Sequence, residues 1–217
     1  MLRSVVSDES APIAIRGAAA RLTFGSVSNE DIGLVIGWND VRAGDLLLNL
    51  SQFPLEETKL IEVFKALVIK KIAGEPAAAM VAALGRIPEG ERLKIGRAVG
   101  YFYTITQTGR VPEPPDIELV TTAAQDSSIL SAIMKSDCTP CREVIIDVAP
   151  HRLSSAMLFS LLKASEPNLR IKALKRLAEY KDIGAINLLR NSYDDEKDGS
   201  VREMYAKLFP NLINSAE

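Results

Sequence analysis

Apolar residues recur every three to four positions along nearly the whole chain, the spacing of a buried helical face rather than the alternation of a strand. The pattern predicts helices over 12–24, 30–38, 44–52 and 76–84, with Ser28 or Asn29 as the cap of the second. A longer helix opens at Pro54, carries Glu56 and Glu57 in its first turn and Lys70 and Lys71 in its last, and closes at Gly74. That charge order complements the helix dipole. Leu60, Phe64, Leu67 and Val68 share one of its faces. Another helix opens at Pro88, runs through Tyr103 and stops near Gly109.

The pattern then breaks. Pro112, Pro114 and Pro115 fall within four positions, and a proline removes a helix hydrogen bond and clashes with the preceding turn. Residues 110–116 therefore read as a linker between an N-terminal helical region, 1–109, and a second region, 117–217. Helices are predicted there over 117–124, 127–135, 141–149, 154–165, 168–180, 182–193 and 199–212. The stretches 117–121 and 144–148 have strand-like composition, but neither has a partner hairpin, so both are assigned as helix. The fold class is all-α.

A repeat lies within the second region. Three stretches open with an apolar or thiol residue, then arginine, then a helical apolar pattern: Cys141-Arg142, Leu169-Arg170 and Val201-Arg202. The arginines are 28 and 32 residues apart (170 − 142 and 202 − 170). A polar or proline-bearing turn precedes each stretch, and an amphipathic helix precedes each turn. Over 127–213 this resembles the short, PBS-lyase-type members of the HEAT-like repeat family. Asp198-Gly199-Ser200-Val201-Arg202 matches that pattern best, and Asn168-Leu169-Arg170-Ile171-Lys172-Ala173-Leu174 nearly as well. The stretch at Cys141 departs from it, lacking the alanine and being cut short by Pro150. Ile15-Arg16-Gly17-Ala18 and Ile95-Gly96-Arg97-Ala98 echo it without a clear period. The resemblance implies helix pairs stacked into an α-solenoid, with the N-terminal half a divergent continuation. It also implies a binding scaffold more often than an enzyme.

Charge narrows the partner. The chain has 26 basic and 28 acidic residues, net −2. Residues 1–110 are net +1 (13 − 12), 111–150 net −5 (2 − 7) and 151–217 net +2 (11 − 9). Nucleic-acid binding is largely phosphate neutralisation, and no segment has the basic excess it needs. DNA glycosylases built from HEAT-like repeats are a further alternative that the resemblance raises. They are basic and tryptophan-rich, whereas this chain has one tryptophan, Trp38. The longest nearly apolar run, 76–84, is far short of the roughly 18 residues that span a bilayer. No long apolar run follows Arg3, so the expected address is the cytosol.

Two groups of residues carry candidate functions. Lys172, Lys175, Arg176, Glu203 and Lys207 lie between the apolar positions of their helices and form a mixed-charge face suited to a protein partner. Arg142, Arg170 and Arg202 are expected instead to fix their helix pairs, each through an acidic group of its own turn. Cys138-Thr139-Pro140-Cys141 suits a disulfide loop, a redox pair or two metal ligands. Zinc would take His151, the single histidine, and Asp137 or Asp147, but the second Cys or His pair of a structural zinc site is missing. Thr139 is placed to cap a helix beginning at Pro140, where a helix N-terminus would make the thiols more reactive. There is no phosphate-binding glycine loop and no Gly-x-Ser-x-Gly elbow, so no catalytic residue and no cofactor are assigned. Tyr101 and Phe102 point in different directions on a helix, so one of Tyr101, Phe102 and Tyr103 is expected to be exposed or at an interface. The chain is thus expected to be a non-enzymatic protein-binding scaffold or adaptor. A thiol-based redox or zinc protein is the first alternative, and a DNA-binding, glycosylase-type protein the second.

Overall fold

The computed structural model describes residues 2–40, 42–50, 55–69, 75–180 and 186–210. Every regular element among them is helical. The first region holds α1 (Leu2–Ser7), α2 (Ile13–Phe24), α3 (Asn29–Gly37), α4 (Ala43–Leu50), α5 (Glu57–Ile69), α6 (Glu75–Ala83) and α7 (Glu89–Thr108). The second holds α8 (Ile117–Gln125), α9 (Ser127–Lys135), α10 (Thr139–Val148), a 3-10 turn (Pro150–Arg152), α11 (Ser155–Leu161), α12 (Pro167–Tyr180), α13 (Ile186–Asp195) and α14 (Gly199–Leu208). No helix among the described residues is long and apolar enough to cross a membrane.

The boundaries follow local chemistry. Ser28 caps α3 in a reciprocal box: Asp31 N–H donates to Ser28 Oγ at 3.2 Å, and Ser28 N–H donates to Asp31 Oδ2 at 3.0 Å. Asp116, Asp126, Ser154 and Asp198 accept first-turn amides at α8, α9, α11 and α14. Gly109 ends α7 at φ +66°, where a side chain would be strained. The stretches with strand-like composition, 117–121 and 144–148, are both helical.

Several predicted limits shift. The helix expected over 44–52 begins at Ala43, and its end at Gln52 lies outside the described residues, as do Pro54, Lys70, Lys71 and Gly74. The helix expected over 154–165 stops at Leu161. There the N–H groups of Leu162, Lys163 and Ala164 turn back to carbonyls three residues earlier, tightening the chain into the next turn. Cys138, not Thr139, is the N-cap of α10, because the helix starts one residue before Pro140. α1 has no counterpart in the sequence reading.

Packing runs through both regions. α5 lies on α6 and α7, α6 on α9, and α7 on α8 and α10, so helices from either side of residues 110–116 share one interior. The proline segment is a connection over that interior, and one set of buried apolar residues runs from Val5 to Tyr205. Toward the C-terminus the even-numbered helices meet in succession: α8 on α10, α10 on α12, α12 on α14. Phe102 and Tyr103 are buried in the core and Tyr101 is half-buried with its ring edge-on to Phe102 at 5.4 Å. None of the three is exposed, because α7 is covered by neighbours on several sides.

Candidate functional site

Two of the three repeat arginines, Arg142 and Arg170, tie one turn to the next, and Arg202 fastens to the turn before its own helix. Arg170 donates through Nε and Nη2 to the two carboxylate oxygens of Glu196, at 2.8 and 3.0 Å, and through Nη1 to the carbonyls of Ala164 and Ser165. Both side chains of this pair are largely buried. A fork-to-fork pair of this kind is strong in place and costs about 3–5 kcal/mol when one member is removed. Arg142 makes a looser version, 3.7 Å from Glu166, with a 3.1 Å hydrogen bond to Thr139 Oγ1. Its Nε is buried without a partner, at the stretch that departs most from the repeat pattern. Arg202 lies 4.3 Å from the Tyr193 ring centroid and donates to the carbonyls of Glu196 and Tyr193.

The expectation of an acidic partner in each arginine's own turn is therefore corrected. Glu166 and Glu196 belong to the following turns. A helical side chain leans back toward the N-terminus of its helix, which carries a first-turn arginine out to the neighbouring turn.

The mixed-charge residues separate into two kinds. Lys172 reaches Asp147 at 2.6 Å and Glu143 at 3.5 Å, bridging α12 to α10. Arg176 pairs with Glu179 on its own helix at 3.1 Å. Lys175, Glu203 and Lys207 are exposed and hold no ion pair among the described residues. Sequence reasoning missed a groove of 690 Å³ between α11 and α13, whose apolar surface includes Phe159, Leu162 and Leu188, with Lys163 and Lys197 beside it. Leu188 is 56% exposed and lines this groove.

The cysteine turn is the second place with distinct chemistry. Cys138 and Cys141 form a disulfide across the first turn of α10, with Cα atoms 5.2 Å apart. Cys138 Sγ accepts the Cys141 N–H at 3.3 Å, which makes the sulfur itself the helix cap. Cys138 is half-buried and Cys141 fully buried. From α7, Thr106 Oγ1 stands 3.8 Å from Cys138 Sγ and 3.7 Å from Cys141 Sγ. The same hydroxyl is placed to donate either to the Phe102 carbonyl, at 2.8 Å, or to Cys138 Sγ. The turn opens on a groove of 520 Å³ whose lining includes Glu75, Pro76, Ile105, Thr106, Asp137 and Pro140.

His151 does not join the cysteines. It is exposed in the 3-10 turn beyond the far end of α10, and ten helical residues put about 15 Å between the two ends. Asp147 is engaged by Lys172. Among the described residues no group of three or more His, Cys, Asp or Glu is placed to hold a metal ion. Trp38 packs against the core with the Arg42 guanidinium 5.1 Å from its ring, and Arg42 is paired with Asp40 and Asp8.

The fold and these two places define an all-helical protein with exposed charged residues on α12 and α14 and a helix-capping disulfide. Comparison with family models, with curated proteins and with solved structures finds no match.

Proposed function

We propose that the chain is a helical-repeat scaffold of the HEAT-like kind that holds a protein partner on its second region. The observation that carries this is the succession α8, α10, α12, α14, each resting on the one before, with Arg142–Glu166 and Arg170–Glu196 repeating one device at successive turns. Such a stack buries one face of each helix pair and leaves another open along its length. Two open features supply binding chemistry: Lys175, Glu203 and Lys207, which hold no ion pair among the described residues, and the groove beside Leu188. Opposite charges interspersed on one face favour a protein surface over a phosphate backbone. Lys172 acts by tying α12 to α10 and Arg176 is engaged by Glu179 on its own helix, so both reach a partner only secondarily.

The test is affinity capture at physiological salt followed by identification of what is held, using the full chain, Leu188→Asp and the double variant Lys175→Glu/Lys207→Glu. All substituted residues are exposed, so the fold is retained. One partner held by the parent and lost by either variant is the expected result and locates the face. A partner held equally by all three removes both faces, and a parent chain that holds none removes the scaffold reading.

A further inference from the structure

We propose that the Cys138–Cys141 disulfide is a thiol–disulfide exchange centre that accepts electrons from dithiols in polypeptides with neutral or basic flanks. Four features of the cysteine turn converge on this, and none depends on the scaffold reading.

First, the bond has little structural work to do. A disulfide stabilises mainly by closing a loop in the unfolded chain, and closing one with only Thr139 and Pro140 between the cysteines removes little entropy. Second, the two sulfurs are unequal. Cys138 is partly exposed and lines the groove, while Cys141 is fully buried and is not among its lining residues. An incoming thiolate therefore meets Cys138.

Third, the surroundings suit the reduced pair. The Cys141 amide already points at Cys138 Sγ, and the start of a helix favours negative charge on that sulfur. Thr106 Oγ1 stands within reach of both sulfurs, placed to donate to a Cys138 thiolate or to accept a thiol proton from Cys141 once the bond opens. A centre whose reduced form is stabilised is the better electron acceptor. Fourth, among the described residues the charged side chains lining the groove, Glu75 and Asp137, are both acidic. They repel an anionic thiol such as glutathione and attract a cysteine with basic neighbours.

The reaction balances without any further reagent. One thiolate of the substrate dithiol attacks Cys138 Sγ. The Cys138–Cys141 bond breaks, a bond from substrate to Cys138 forms, and Cys141 leaves as a thiolate that takes a proton from solvent. The second substrate thiol, having lost its proton to solvent, attacks the substrate sulfur of the mixed disulfide. That step closes the substrate disulfide and releases Cys138 as a thiolate held at the helix start. Two electrons have passed from substrate to protein.

The experiment uses the full chain with its disulfide closed, mixed with three probes: a dithiol peptide flanked by lysines, the same peptide flanked by glutamates, and reduced glutathione. Acid-quenched alkylation and mass measurement follow peptide oxidation. The expected result is one peptide disulfide formed per protein disulfide lost, with the lysine-flanked peptide roughly tenfold or more faster than the glutamate-flanked one, and glutathione slower than the lysine-flanked peptide. Cys138→Ser and Cys141→Ala each abolish the reaction. Serine is itself a good helix cap, so the first of these keeps its fold. Cys141→Ala, loaded with a small aryl thiol on Cys138, is still attacked by the lysine-flanked peptide, whose second thiol then closes the peptide disulfide; the same peptide with one cysteine replaced by serine stops at the mixed disulfide. Thr106→Val shifts the exchange equilibrium toward the closed disulfide by roughly two- to fivefold, which a merely structural threonine would not do. The proposal is overturned by a pair that does not close in oxidising buffer, by a closed pair no faster than free cystine, or by equal rates with the two peptides.

Discussion

Asp31 shows what a single residue contributes. It is buried, closes the capping box of α3 and receives the Arg21 guanidinium across from α2. The hydrogen bond from Arg21, with those from Ser28, holds its carboxyl at about 2, below the ordinary 3.8. A carboxylate depressed in the folded state stabilises above its unfolded pKa and loses that contribution as pH falls through its folded one. Parent and Asp31→Asn are therefore expected to differ by about 2 kcal/mol near neutral pH, with the gap closing between about pH 4 and pH 2. Urea denaturation across that range measures it, and a gap constant with pH would assign the effect to packing alone. This cap was legible in the sequence, because serine before an apolar helical run is a recognised starting signal. Thr106 was not: it lies 32 residues before Cys138, and only the packing of α7 on α10 brings them together. Cys138 was missed as the cap because a sulfur is outside the usual set of capping side chains.

At the scale of elements, the approach of α5 to α7 turns on Gly96. A Cβ there would overlap the ring of Phe64, which is fully buried and has nowhere to move. Gly96→Ala is expected to destabilise by about 1–3 kcal/mol, despite alanine's better helix propensity. Gly33 is the control. It lies exposed in the middle of α3 with open space around its added Cβ, so Gly33→Ala is expected to stabilise by about 0.5–1 kcal/mol. Thermal melts of the two variants should move in opposite directions. The existence of most helices was readable from apolar spacing and caps, since both are local. The partners of the repeat arginines were not, because Glu166 and Glu196 sit 24 and 26 residues beyond Arg142 and Arg170 (166 − 142 and 196 − 170). α1 escaped notice because six residues carry too little periodicity to stand out.

For the whole molecule, the proline segment 110–116 divides the sequence more sharply than the structure. Composition reports where a helix cannot continue, but not which helices later meet, and α6 on α9 with α10 on α7 joins the two regions. Calorimetry of the full chain is expected to show one cooperative transition with equal calorimetric and van't Hoff enthalpies. Two separated transitions would restore two independent domains. The Arg170–Glu196 fork has a consequence under tension. α14 is held to the rest chiefly through α12, and this fork joins the start of α12 to the turn that precedes α14. A pull on the C-terminus therefore loads the fork in series with the helices upstream of it. It gives way as a latch, releasing α14 before the strain reaches the cysteine turn. Force applied by a bound partner would be spent at the end of the stack, leaving the shared interior of α5 to α10 undisturbed.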